Sequence, residues 1–225
     1  MRPWWSSRAA NPGSAHAAGW QAAAAPRGIE PFGAGTWPAL QSSLTKPALV
    51  VFSSTSCGNC PAANANLQKL AERSDIIALT YPVGIWDYLG WDDTFAKPEF
   101  TERQKRYNRV LGYRGPYTPQ VVYSGRLHGP GTSIKQIEEK FAVRDISPYP
   151  ASIAFDKDVV TVSGALPDKM DKAGVMLVKF RPGQTKVTPG GGANKGKAMT
   201  YWNLVTGFEQ IGEWKGGSQK FAGLS

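Results

Sequence analysis

Apolar residues in this chain gather in short runs and stripes whose spacing predicts alternating strands and helices from residue 46 to residue 145. The run from Pro47 to Ser53, PALVVFS, is apolar at successive positions and rich in β-branched residues, the pattern of a strand buried on both faces. Ala63, Leu67, Leu70 and Ala71 then recur at i, i+4, i+7 and i+8, one face of a helix ending near Arg73. IIALTYPV, residues 76–83, predicts a second strand, parallel to the first because a helix joins them. After an aromatic loop over residues 84–97, Pro98 opens a helix that runs through Leu111 and stops at Gly112. YTPQVVYSGRL, residues 117–127, reads as a strand entered through Thr118-Pro119, with a turn at Ser124-Gly125 and a short return. Ser133 and Gln136 have capping-box spacing, and Ile134, Ile137 and Phe141 stripe a last helix. The order is β-α-β-α-β-β-α.

Beyond DISPYP the periodicity changes. ASIAF, VVTVSGAL, GVMLVKFR, TKVTP, AMTYWNLVTGF and IGEWKG are strand-like runs separated by Asp, Lys, Gly and Pro, which predicts an antiparallel β unit packed on the first domain. PGGGANKGK, residues 189–197, is glycine-rich but lacks the GK[ST] ending and following helix of a phosphate-binding loop, so it reads as a mobile hairpin. The expected divisions are a lead-in over 1–44, a first domain over 45–147 and a β-rich extension over 148–225.

Composition narrows the function classes. With 225 residues the chain can bury a sizeable core, and 41% hydrophobic with 19% charged residues is globular composition. Its net charge of +9 is spread, with basic excesses of 2, 3 and 4 over the three segments, and this argues against a specific nucleic-acid partner. No apolar run nears the about 20 residues of a membrane-spanning helix, so no integral membrane protein is expected. Residues 1–29 carry Arg2, Arg8 and Arg27 and no acid, like an organellar transit segment, and lack the apolar stretch of a secretory signal.

The chemistry concentrates in SSTSCGNCPAAN, residues 53–64, which holds the only two cysteines, Cys57 and Cys60. A C-x-x-C at a helix start puts the first thiol near unpaired backbone N–H groups and the positive end of the helix dipole, which lowers its pKa. Cys57, at or before the first turn, is then the exposed attacking thiolate, and Cys60, one turn in, the buried resolving thiol. A structural disulfide gains little from so short a loop. Zinc wants four ligands, and only His16 and His128 remain as strong nitrogen donors. A copper site of Cys57, Cys60 and His128 stays chemically open.

The element order resembles that of thioredoxin. CGNCPAANANLQKLAERSDIIALTYPVGIWDYLGWDDTFAKPEFTERQKRYN and YTPQVVYSGR resemble the thioredoxin-like bacterial secreted proteins grouped as the domain-of-unknown-function family numbered 1223, through the blocks CxxCP, WDYLGW, FTxRQxxY and YTPQ. GKAMTYWNLVTGFEQIGEW resembles that family's C-terminal segment, so the resemblance covers roughly residues 46–216. It implies an α/β, thioredoxin-like fold with a C-terminal antiparallel β-rich extension, and a periplasmic or secreted setting, an organelle being the alternative from the N-terminus. It also implies a cis Thr118-Pro119 bond lying against the cysteines, the Thr118 backbone pairing with a substrate strand and Pro119 shielding the sulfurs from metal. Trp86, Tyr88 and Trp91 read as packing, Trp86 being the candidate for substrate contact. Thioredoxin has a buried acid six residues before its first cysteine; here Val51 stands there, and Asp87, Asp92 and Asp93 either substitute or serve as solvated and capping groups.

The expected function is a thiol-disulfide oxidoreductase acting on protein or peptide thiols, its only cofactor the Cys57–Cys60 disulfide. The alternative is a non-catalytic binding module, either a copper carrier or a subunit of a larger assembly.

Overall fold

The alternation within ALVVFS sets one core on each face of the central strand. A computed structural model of the chain describes residues 20–23, 46–142, 151–156 and 158–222; the rest of the N-terminal lead-in with His16, and the DISPYP junction, lie outside them. Strands β1 (Trp20–Ala23), β2 (Ala48–Ser53), β3 (Ile77–Pro82), β4 (Gln120–Tyr123), β5 (Leu127–Gly129), β8 (Ala173–Val187) and β9 (Met199–Trp214) form one mixed sheet in the order β1-β8-β9-β3-β2-β4-β5. Helices α1 (Cys60–Ala71), α2 (Pro98–Val110) and α3 (Ile134–Phe141) complete a mixed α/β architecture. β2 pairs parallel with β3 and antiparallel with β4, so it is central and buried on both faces. Leu49 and Val51 pack with Leu67 and Leu70 of α1 and Ile137 of α3, whereas Val50 and Phe52 face Phe100 and Tyr107 of α2. The order β-α-β-α-β-β-α holds from β2 to α3.

The C-terminal runs are longer than their sequence breaks suggest. GVMLVKFR and TKVTP are one strand, β8, and AMTYWNLVTGF and IGEWKG are one strand, β9. The antiparallel β8–β9 ladder absorbs Pro182-Gly183 as an irregularity between Arg181 and Gln184, where Gly183 has φ +72° and its N–H donates to Asn203 Oδ1 at 2.9 Å. Asn203 Nδ2 in turn donates to the Ala78 carbonyl at 3.0 Å, and Thr80 stands opposite Leu204, so the hairpin continues the sheet beyond β3. Strands β6 (Ala151–Asp156), β7 (Val159–Gly164) and β10 (Gln219–Ala222) form a separate antiparallel sheet, whose core with β8 and β9 centres on Trp214.

Helix ends follow local rules. Pro61 and Pro98 occupy first turns, where a missing N–H costs nothing. Ser133 Oγ accepts from the Gln136 N–H at 3.4 Å. Gly131, between β5 and α3, is at φ +67°, its carbonyl accepts from Asn66 Nδ2 of α1 at 3.1 Å, and a Cβ there would overlap Val121 of β4. We therefore expect Gly131→Ala to destabilise the fold by at least about 2 kcal/mol in urea denaturation, from the left-handed backbone plus overpacking.

Candidate functional site

Between the end of β2 and the start of α1 the chain winds through Ser54–Asn59, outside both the ladder and the helix. Its backbone groups therefore need other partners. Some bonds are internal: Cys57 N–H donates to the Ser54 carbonyl and Cys60 N–H to the Cys57 carbonyl, both at 3.2 Å. The Ser54 N–H points at Cys60 Sγ, 3.4 Å away, and the Ser56 N–H donates to Ser54 Oγ at 3.2 Å. The Thr55 N–H donates to Asp93 Oδ2 at 2.8 Å, and the Thr55 and Cys57 carbonyls both accept from Asn194 Nδ2, at 2.9 and 2.7 Å.

Regular helix begins at Cys60 itself, so the resolving cysteine is not one turn in as expected but at the first position, with Cys57 in the preceding turn. Cys57 is 8% exposed and Cys60 0%, which keeps the expected order although Cys57 is only narrowly open. Cys57 is lowered from the usual thiol value to about 6: the hydrogen bond with the Cys60 thiol acts most strongly, burial opposes it, and Thr118 and the backbone at Asn59 and Cys60 assist. Cys60 is pushed well above the usual value, first by burial and then by its hydrogen bond to Cys57 and the neighbouring charge. At neutral pH one sulfur is a thiolate and the other holds its proton.

The facing wall comes from the segment before β4. The Thr118–Pro119 peptide is cis, and Cys57 Sγ lies 3.3 Å from the Thr118 carbonyl, to which it donates only while it holds its proton. Trp86 Nε1–H donates to Thr118 Oγ1 at 2.7 Å, which leaves the threonine's own hydrogen free for the thiolate. From behind, Gln104 Nε2 of α2 donates to the Tyr117 carbonyl at 2.7 Å and to Gln120 Oε1 at 2.8 Å, and Gln120 Nε2 donates to Asn108 Oδ1 at 2.6 Å. The FTERQKRYN helix thus contributes buried amides that hold Thr118-Pro119 in place. Trp86, Val187 and Met199 supply an apolar lining around both sulfurs.

Cys57, Cys60, Thr118 and Trp86 come together, with Pro119 joined to Thr118 by the cis bond. His128 does not join them: it sits on β5 with Nδ1 2.8 Å from Tyr117 Oη and its ring edged by Tyr113. Among the described residues no group of three His, Cys, Asp or Glu side chains is placed to hold a metal ion, so the copper set of Cys57, Cys60 and His128 is not assembled.

Two contributions go beyond what the sequence specified. PGGGANKGK is the hairpin connection between β8 and β9, and it packs on the cysteine turn, with Gly190 and Gly191 so close to Trp91, and Gly192 to Ser56, that a Cβ at any of them would meet its neighbour within 3 Å. That approach is what carries Asn194 to the Thr55 and Cys57 carbonyls, 137 or more positions away in sequence. Asp93 is buried, unlike exposed Asp92; besides Thr55 N–H its Oδ2 accepts from Tyr201 Oη–H at 2.6 Å, and its Oδ1 accepts from the Phe95 N–H at 3.1 Å. Tyr201 is held far above its ordinary value, chiefly by burial, then by Asp93 and the two cysteines, so it stays a neutral donor beside them. Spacing could nominate Asp93 as one of three loop acids but carried no signal for Asn194 or Tyr201. We expect Asp93→Ala, which orphans the Tyr201 hydroxyl and the Thr55 N–H, to cost about 3 kcal/mol in chemical denaturation and Tyr201→Phe about 1 kcal/mol. The double variant should cost less than the two single ones together.

Comparison with solved structures finds protein AGR_C_4864 from Agrobacterium tumefaciens, at TM-score 0.64 and 31% identity over 79% of this chain and 77% of that one. It also finds HBP35 of Porphyromonas gingivalis, at TM-score 0.49 and 16% identity over 79% of this chain and 63% of that one. No curated protein matches the chain. The model of the family described as protein of unknown function (DUF1223) matches residues 49–223, and the chain belongs to that family.

Proposed function

We propose that the protein is a thiol-disulfide oxidoreductase in which residues 46–142 form a thioredoxin-like unit, acting on protein or peptide thiols in a periplasmic or secreted setting. The observation that carries this reading is the asymmetry of the two thiols, Cys57 lowered to about 6 at a narrow opening and Cys60 raised beneath it. A structural pair has no need of such a difference, whereas exchange chemistry needs one thiolate to attack and one held thiol to resolve.

Starting from the dithiol, Cys57 Sγ attacks one sulfur of a substrate disulfide. The substrate S–S bond breaks, a mixed disulfide forms, and the first substrate sulfur leaves as a thiolate that takes a proton from water. Cys60 then gives up its proton and attacks Cys57 Sγ, releasing the second substrate sulfur, which is protonated in turn. The substrate gains two electrons and two protons, and the protein is left with a Cys57–Cys60 disulfide. Run backward, the same steps oxidise a dithiol. The Thr118 carbonyl and the Trp86–Thr118 bond lie where a substrate backbone must pass to reach Cys57. Tyr88, 75% exposed and packed at 6.1 Å from Trp86, and Leu89, 51% exposed, extend that wall outward as an apolar shelf. The shelf favours peptide substrates over small thiols.

In an insulin-reduction assay the wild type is expected to turn over, Cys57→Ser to be inactive, and Cys60→Ser to accumulate a mixed disulfide through Cys57. Wild-type activity no greater than that of Cys57→Ser would remove the enzyme reading. Because the thiolate is the reactive form, alkylation of Cys57 by iodoacetamide should plateau above a midpoint near 6 and fall about tenfold per pH unit below it, whereas a midpoint near the free-thiol ~8.5 contradicts an activated nucleophile. Tyr88→Ser with Leu89→Ser should raise KM for peptide disulfides by about threefold to tenfold and leave Cys57 alkylation unchanged.

A further inference from the structure

Among the described residues, Asn194 is the one side chain from the C-terminal part of the chain that hydrogen-bonds the cysteine turn. It is 3% exposed, and its Nδ2 donates to two carbonyls, Thr55 O at 2.9 Å and Cys57 O at 2.7 Å. This orientation of the amide is forced, since the flipped one would set Oδ1 against both carbonyl oxygens. Three features fix where Asn194 sits. Gly190 and Gly191 pass beside Trp91 without room for a side chain, Gly192 lies on Ser56 at φ +71°, and the Ala193 N–H donates to the Ser56 carbonyl at 3.4 Å. On the other side Asp93 holds the Thr55 N–H and Trp91 Nε1–H donates to Thr55 Oγ1 at 3.2 Å. The Thr55 residue is thus gripped at its N–H, its hydroxyl and its carbonyl by side chains from two distant loops.

We propose that Asn194 is a positioning residue for the Cys57 thiolate, and that the β8–β9 loop exists in this protein to deliver it. The turn from Ser54 to Asn59 has few backbone bonds of its own, yet the backbone at Asn59 and Cys60 must face Cys57 Sγ for the thiolate to be stabilised. Pinning the Cys57 carbonyl fixes the peptide plane that follows Cys57 and so the direction of that backbone. The two N–H dipoles of the Asn194 amide also place positive charge beside the residue that becomes negative. The β-rich segment is on this account a part of the reactive centre.

The inference rests on the redox reading of the same site, but its readout is thiol ionisation and needs no turnover. Asn194→Asp keeps the size of the side chain, removes both donors and adds a negative charge, and should raise the Cys57 alkylation midpoint by at least about one pH unit, a tenfold loss of thiolate below it. Asn194→Ala should raise it by about half as much, because it loses the donors without adding charge. Folded variants that titrate like the wild type would overturn the proposal, whatever their melting temperatures, since a merely structural role lowers stability without moving the midpoint. In the unmodified protein, the Asn194 side-chain amide resonances should shift with pH at the Cys57 midpoint, and resonances that stay flat through that midpoint would overturn it without any variant. Shifted midpoints in a protein that reduces no insulin would keep the Asn194 role and remove the oxidoreductase reading. Insulin reduction with unshifted midpoints would do the reverse.

Discussion

The Thr55 peptide group has no partner within its own segment. It lies past the last residue of β2 and before the first of α1, so neither the ladder nor the helix satisfies its N–H and C=O, and burial makes leaving them bare costly. Asp93 takes the N–H and Asn194 the carbonyl. That demand draws the loop after β3 and the connection between β8 and β9 onto the cysteine turn, and much of the architecture around the site follows from it. The close glycine approaches at residues 190–192, the buried Tyr201 hydroxyl on Asp93 and the apolar lining from Val187 and Met199 all accompany the same junction.

The two sulfurs gain their difference from this surrounding. Cys60, the first residue of α1, is fully buried beside the Ser53 side chain and the Ser54 N–H, and desolvation keeps its proton on. Cys57 is close to several groups that favour a negative sulfur, the Cys60 thiol first among them. Nothing acidic lies in the strand beneath: Val51 is packed among Leu49, Leu67 and Val121 in an apolar layer. Among the described residues the buried acid, Asp93, arrives instead from the loop after β3, reaches the cysteine turn through the Thr55 N–H, and is tied to a tyrosine of β9. A carboxylate on backbone and phenol donors steadies the turn without pressing its charge directly on the attacking sulfur.

Much of this was legible in the sequence, and the reasons for success and failure differ by residue. The strand at 48–53, the helix striped by Ala63, Leu67 and Leu70, the helix started by Pro98, and the turn at Ser124-Gly125 are local events, set by runs, stripes and turn residues within a few positions of one another. The meeting of Cys57 with Thr118 was expected from the resemblance to thioredoxin-like proteins, and the antiparallel pairing of β2 with β4 accounts for it. Asn194 was beyond reach: its role depends on a backbone approach that glycines allow but do not announce. Pro182-Gly183 misled for a related reason, since a break in a single strand becomes a tolerated irregularity once a long partner strand runs past it. His128 was nominated by chemical type alone, and a neighbouring tyrosine occupies it.

The most direct test of the central claim is to equilibrate the full-length protein in glutathione buffers of graded redox poise and quantify Cys57 and Cys60 by mass spectrometry. The account predicts a single reversible two-electron transition between dithiol and intramolecular Cys57–Cys60 disulfide, with glutathione adducts confined to Cys57 when Cys60 is replaced by Ser. Cysteines that stay reduced across the series, or adducts divided equally between the two sulfurs, would contradict it.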